Sequence, residues 1–309
     1  MVFVLPRTET DTIPTMNPVV LFFASGDSFY FGAALLLLVI ATSPYLTRRW
    51  ALGCRNTTAW LALAMIVMAC PPFPWMISAI FLGAFVMWFI GANWSAAGWV
   101  WVRSRLVVTS VLVLLLLVLP AIEFSHRRMP EIVGAPCDHL AVIGDSISSG
   151  IGLRVPAWPL VMEQMTGVPV KNLARAGADM IEAQSMAKEI TPEDRVVLLE
   201  IGGNDLLAGV PSGEFGKNLD ALLSNVSAPG RTVVMFELPL FPHKTAYGQI
   251  QRRLAAKYGV WLIPKRFLVN VIGGANATSD GLHLSDAGTH HMAALAAQVL
   301  SPVLKSPSR

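Results

Sequence analysis

The stretch "HLAVIGDSISSG", His139 to Gly150, decides how this chain is read. From Leu140 to Gly144 it is apolar or small without alternation, and it then breaks into Asp145-Ser146 and a group of small polar residues. A short continuous apolar run of this kind suits a strand covered on both faces, as in a parallel sheet between helical layers. Ending such a strand on Gly-Asp-Ser delivers a hydroxyl to the sheet edge where open α/β folds build their sites. The same triplet occurs earlier, as Gly26-Asp27-Ser28, so only the surroundings can separate chemistry from coincidence.

Working outward, four further runs share the character of the first: "VPVKNLA" at 168–174, "RVVLLEIGG" at 195–203, "RTVVMFELP" at 231–239 and "VWLIP" at 260–264. Amphipathic stretches near 157–166, 178–189, 213–227, 245–258 and 285–304 lie between and after them. Alternation of strand and helix implies right-handed crossovers and a parallel sheet with helices on both faces. The expectation is a three-layer α/β/α sandwich around a five-stranded parallel, flavodoxin-like sheet.

The rest of the chain has a different composition. With 309 residues, 54% hydrophobic and only 14% charged, the whole is too apolar for a soluble globule. Nothing from Asn56 to Val102 is charged. As one helix that run would be about 70 Å long, against a bilayer core about 30 Å thick. Pro71-Pro72-Phe73-Pro74 divides it. The reading is an all-α membrane region over residues 1–122 with about four transmembrane helices, near 28–45, 57–70, 75–94 and 106–122. A linker at 123–136 and the α/β domain at 137–309 follow. The 57–70 segment is short for a crossing, with a re-entrant loop as the alternative. A cleaved leader fits poorly, because Glu9 and Asp11 precede the first apolar stretch and three more spans follow it.

Arg48, Arg49 and Arg55 fall between the first two spans and Arg103 and Arg105 between the last two. The positive-inside rule makes those loops cytoplasmic and puts the C-terminal half on the extracytoplasmic side. Arg127 and Arg128 pull weakly the other way. The net charge of +3 reflects these juxtamembrane arginines, which suit lipid headgroups rather than nucleic acid. The expected partners are therefore the lipid bilayer and a small-molecule substrate. Cys137 is the one cysteine of the C-terminal half, so that half holds no internal disulfide and relies on its core.

Four polar, glycine-punctuated segments gather at the expected carboxyl edge: Gly144-Asp145-Ser146, "NLARAGAD" with Gly177, "GGND" with Asn204, and "SDGLHLSDAG" with Asp280 and His283. A serine hydroxyl needs a base to take its proton, and the base needs a partner that orients it. Ser146, His283 and Asp280 are the right types, and the Asp-x-x-His spacing lets one tight loop present the last two. The developing oxyanion needs preorganised donors. The backbone N–H groups of Ser146 and Gly177 and the side-chain amide of Asn204 can supply them. An α/β-hydrolase would set its serine in Gly-x-Ser-x-Gly, whereas Ile147 and Ser148 follow Ser146. Trp158, Leu206, Leu207 and Val210 read equally well as acyl-pocket walls or core. His243 reads as a loop residue that could line the pocket, and His290 and His291 as helix surface or core.

"GDSISSG", "NLARAGA", "EIGGND" and "DGLH", in that order, resemble the four sequence blocks of the SGNH (GDSL) hydrolase superfamily. The resemblance covers residues 138–304 and implies a catalytic Ser146, Asp280 and His283, with Ser146, Gly177 and Asn204 as the oxyanion hole. "AWPLVME", "LLEIGGNDLLAG" and "YGVWLIP" look most like the bacterial periplasmic thioesterase, lysophospholipase and arylesterase branch. Leu284 stands where that branch often has proline, which touches only the subfamily. The activity implied is a membrane-anchored serine hydrolase of carboxylic esters or thioesters in the bacterial inner membrane, with no cofactor and no metal. The alternatives are an O-acetylesterase or O-acyltransferase acting on an envelope glycan, and a catalytically silent membrane scaffold.

Overall fold

The computed structural model describes residues 18–46, 48–94, 99–241 and 243–304. Glu9 and Asp11, on which the argument about a leader turned, lie outside them. The helical part comprises α1 (Pro18–Ala24), α2 (Asp27–Thr42), α3 (Arg49–Met68), α4 (Trp75–Asn93) and α5 (Trp99–Ser125). The α/β part follows in the order β1 (Leu140–Gly144), α6 (Ser146–Ser149), α7 (Trp158–Thr166), β2 (Val170–Asn172) and α8 (Met180–Ala187). It continues with β3 (Val196–Glu200), α9 (Gly203–Ala208), α10 (Ser212–Val226), β4 (Thr232–Phe236) and α11 (Thr245–Tyr258). β5 (Trp261–Ile263), α12 (Lys265–Ile272) and α13 (Asp286–Leu300) complete it.

The five strands form one parallel sheet in the order β2-β1-β3-β4-β5, with Leu140 opposite Val196 and Gly144 opposite Glu200. The order reverses between β1 and β3, and that switch point opens a crevice at the strands' carboxyl ends. β1, β3 and β4 are buried along their whole length, which is why their sequences do not alternate. Their side chains nevertheless divide by the period of two. Ala141, Ile143, Val197, Leu199, Val233 and Met235 pack on one face with residues of α8, α10 and α11. Leu140, Val142, Val196, Leu198, Val234 and Phe236 pack on the other with α7, α12 and α13.

Among the described residues four helices are long and apolar enough to cross a membrane: Asp27–Tyr45, Arg49–Met68, Trp75–Asn93 and Val102–Ser125. The second begins well before residue 57, where the sequence reading started it. Arg55 sits inside it and is buried, its guanidinium bonded to Asn56 Oδ1 at 2.9 Å, Asn93 Oδ1 at 2.7 Å and the Ala92 carbonyl at 3.2 Å. Partners up to 38 residues away make that charge compatible with a helix interior, and at 20 residues the helix is long enough for a full crossing. The prolines do divide α3 from α4, across residues 69–74.

Two ionic clusters organise the junction between the halves, the second bridging them directly. Asp27, at the start of α2, pairs with Arg127 just beyond α5. Glu123 of α5 receives both terminal nitrogens of Arg252 from α11, at 2.7 and 2.8 Å, and Arg252 Nε reaches Glu237 at 2.8 Å. Glu237 directly follows β4 and accepts the backbone N–H of Lys265, the residue opening α12 after β5. The helical part therefore docks on the carboxyl edge of the sheet, the same edge that carries the candidate site.

Candidate active site

Ser146 is the first residue of α6. Asp145 caps that helix, its Oδ1 accepting the Ile147 N–H at 3.0 Å, and the Asp145 N–H donates to the Glu200 carbonyl at 3.2 Å. The serine is thus held by two adjacent strands rather than by a free loop. Among the described residues its own backbone N–H makes no hydrogen bond, as expected at a helix start.

Gly177 lies in the turn after β2, anchored to β1 by the Arg175 N–H on the Gly144 carbonyl at 3.1 Å. Its φ of +75° is one that L side chains adopt only under strain. Asn204 is the second residue of α9, which follows β3, and its Nδ2 donates to the Ala178 carbonyl at 2.8 Å. That bond uses one of the two amide hydrogens and ties the asparagine to the Gly177 turn. The three expected oxyanion donors therefore come from the exits of β1, β2 and β3, which are neighbours in the sheet.

Asp280 and His283 share the loop before α13. Asp280 Oδ1 accepts the backbone N–H groups of Leu282 and His283 at 2.9 and 2.8 Å, and Oδ2 stands 2.6 Å from His283 Nδ1. Gly281, at φ +89°, makes the turn possible. The histidine ring, then its backbone N–H, hold the Asp280 carboxyl down at about 2, so the aspartate is charged at any ordinary pH. A carboxylate on Nδ1 selects the tautomer with its proton there and leaves the Nε2 lone pair free. Asp286 Oδ1 accepts the Arg154 N–H at 3.2 Å, which draws this loop against the segment following Ser146. Burial raises the Asp145 carboxyl above its ordinary range, opposed first by the Ile147 N–H and then by Glu200 and His283. Among the described residues no hydrogen bond joins Ser146 to His283. The hydroxyl and Nε2 are both unspent, in keeping with catalytic contacts that tighten only around substrate.

Behind Ser146 lies a network that sequence reasoning missed. Ser148 Oγ donates to Glu200 Oε2 at 2.7 Å and accepts from Trp158 Nε1 at 3.1 Å, while Asn172 Nδ2 holds the Ser148 carbonyl at 3.0 Å. Burial, then the neighbouring charge of Asp145, push the Glu200 carboxyl well above its ordinary range, and its carboxyl hydrogen-bonds that of Asp145. A protonated Glu200 can donate that bond, fixing the residue before Ser146. The available signal was one acidic residue ending an otherwise apolar strand.

Trp158 is therefore a wholly buried member of this network and Leu206 is core, whereas Leu207 is exposed and Val210 packs against the core from its margin. Asp205 is buried and accepts the Met180 N–H at 3.0 Å, and burial raises its carboxyl to about 6. His290 and His291 are exposed. His243 has φ +70° and lines a cavity against the helical part.

The comparisons concern the same half of the chain. Residues 142–290 match the model of the GDSL-like Lipase/Acylhydrolase family. Esterase TesA of Pseudomonas aeruginosa is 25% identical over 164 residues, covering 48% of this chain and 81% of that protein. The Arylesterase of Vibrio mimicus is 29% identical over 162 residues, covering 47% and 80%. Thioesterase 1/protease 1/lysophospholipase L1 of Escherichia coli is 25% identical over 186 residues, covering 56% and 88%. The helices that precede residue 126 lie outside the family match. From the switch-point serine to the Asp-His loop, the C-terminal half of this chain is a GDSL-like (SGNH) acylhydrolase domain, and the protein is a hydrolase of the ester-cleaving class.

Proposed function

We propose that the protein is a membrane-anchored serine hydrolase of carboxylic esters or thioesters. Ser146 attacks the acyl carbonyl while His283 Nε2 takes its proton. Asp280 holds the ring and balances the imidazolium charge. The N–H groups of Ser146 and Gly177 and the free amide hydrogen of Asn204 receive the oxyanion. The imidazolium then protonates the leaving alcohol or thiol. Water, deprotonated by His283, hydrolyses the acyl-enzyme and restores Ser146. The observation that carries this reading is the 2.6 Å Asp280–His283 contact, made on the same sheet edge as a helix-capped serine.

Four apolar helices support anchoring in a bilayer. Their charge distribution supports an extracytoplasmic domain in a bacterial inner membrane. Arg55 lies at the bundle end formed by Ala92 and Asn93, and Arg105 packs beside Gly91 at that end. The α/β part docks at the opposite end, where Arg127 is neutralised by Asp27. The named activities of the relatives, esterase, arylesterase and lysophospholipase, suggest acyl esters as substrates. The test is hydrolysis of aryl acyl esters by the full-length protein and by Ser146→Ala. The reading expects activity only in the first, and turnover surviving in the variant removes Ser146 from the mechanism.

A further inference from the structure

A cavity of about 290 Å³ lies between the apolar helices and the α/β part. Ala33 of α2, Leu63 and Ile66 of α3, Phe81 of α4 and Leu116 of α5 contribute to its walls, and His243 and Thr245, from the segment after β4, also line it. Its walls are thus mostly hydrocarbon, with the polar side chains of His243 and Thr245 from the side of the sheet's carboxyl edge and of Ser78 from α4.

The cavity is linked to the candidate oxyanion site by packing. The span break at Cys70–Pro74 rests on the segment after β4: Cys70 Sγ lies 3.2 Å from the Phe241 carbonyl, and Gln249 of α11 donates to the Phe73 carbonyl. Leu240 and Pro72 both crowd Gly248, where an added Cβ would meet them at 2.9 and 3.1 Å. Farther along the same segment, Leu238 abuts Gly202, where an added Cβ would meet it at 3.2 Å. Gly202 caps α9, whose second residue is Asn204. His243, at the join, holds a left-handed φ of +70°, a conformation that costs a non-glycine residue energy and clusters at ligand clamps.

We propose that this cavity receives the acyl chain of the ester or thioester that Ser146 cleaves, so that the membrane helices themselves build the chain-binding site. The inference rests on the hydrolase reading and narrows its substrate to membrane-resident, long-chain acyl compounds. The occupant follows from the surroundings. An apolar cavity of about 150 Å³ is already large enough to stay dry and take up benzene, and this one is larger. The bilayer supplies unbranched hydrocarbon on every side of the helices. Polar groups from the post-β4 segment match a ligand with an apolar chain and a polar, reacting end.

The experiment uses the full chain in lipid nanodiscs, with aryl esters from acetyl to palmitoyl and with a palmitic acid carrying a photoreactive diazirine. The cavity is filled in two ways: Ala33→Phe at its buried wall and Ser78→Trp at a lining residue that is otherwise exposed, so that one variant survives if the other misfolds. The expected result is a preference for long chains in the wild type. Both substitutions lower kcat/KM on the palmitoyl ester by about tenfold or more, the scale of a single methylene in an apolar pocket, and leave acetyl hydrolysis unchanged. Photolabelling falls on peptides of α3 and α4 and drops in both variants. An unaltered chain-length profile in a folded, acetyl-active variant overturns the proposal. Photolabelling at the cavity in a wild type that hydrolyses no ester overturns the hydrolase reading instead, and with it the assignment of the bound chain to a substrate.

Discussion

The two Gly-Asp-Ser triplets are the same three residues put to different uses. In the first, Gly26 in a left-handed conformation starts α2, Asp27 spends its carboxylate on Arg127 and Ser25, and Ser28 is fully buried with its hydroxyl unpartnered among the described residues. That aspartate ties a membrane helix to the chain leaving the membrane. In the second, Asp145 turns inward to cap α6 and meet Glu200, and Ser146 is presented half-exposed at the sheet edge that also carries Gly177, Asn204 and the Asp280–His283 loop. A motif becomes chemistry only when the fold brings its partners.

Substitutions can break that contrast, the largest effect first. Ser146→Ala lowers hydrolysis by a factor on the order of 10⁶, the loss found when another serine hydrolase is deprived of its nucleophile. Ser28→Ala leaves hydrolysis unchanged, and thermal unfolding shows it neutral or slightly stabilising, because it removes a buried hydroxyl that lacks a bond. Asp280→Asn lowers kcat by about 10⁴, since an amide favours the wrong imidazole tautomer. Arg252→Met strands Glu123 and Glu237 without their shared cation and destabilises the protein by about 3–5 kcal/mol, read as a fall in denaturation midpoint. Asn204→Ala costs about 10²–10³ in kcat, the worth of one oxyanion donor.

A further effect is in the pH dependence of stability. Asp205 titrates near 6 in the folded protein against an ordinary value of 3.8. Below both values the two states are equally protonated. Between them the folded state keeps a proton that the unfolded chain has lost, so stability falls as pH rises through that window. The loss is complete above about pH 6 and is on the order of 3 kcal/mol. Asp205→Asn, which keeps an acceptor for the Met180 N–H, flattens that slope in denaturation curves taken from pH 4 to 7. A slope unchanged in the variant assigns it to another group.

How much was legible beforehand depended on whether a residue's partners were near in sequence or in composition. β1, β3 and β4 could be read because each is buried along its whole length and carries a near-continuous apolar run, and Asp280 and His283 because one turn brings them together. α6 and α9 could not, because Ser146-Ile147-Ser148-Ser149 and Gly203-Asn204-Asp205 are turn-forming sequences made helical by the strands they follow. α12 is short and begins with Lys265-Arg266, a polar start that hid the apolar face of Leu268, Val269 and Ile272. The early start of α3 was obscured by Arg55, whose partners lie in another helix. The Glu200–Ser148–Trp158 network spans 52 residues and leaves only one acidic side chain as a trace.

The account stands most directly on which serine is nucleophilic. Treating the folded, full-length protein with a fluorophosphonate and mapping the adduct by peptide mass spectrometry should yield a single modification on the peptide containing Ser146, lost in Ser146→Ala and kept in Ser28→Ala. An adduct on any other serine, or none on protein that hydrolyses an aryl ester, would contradict it.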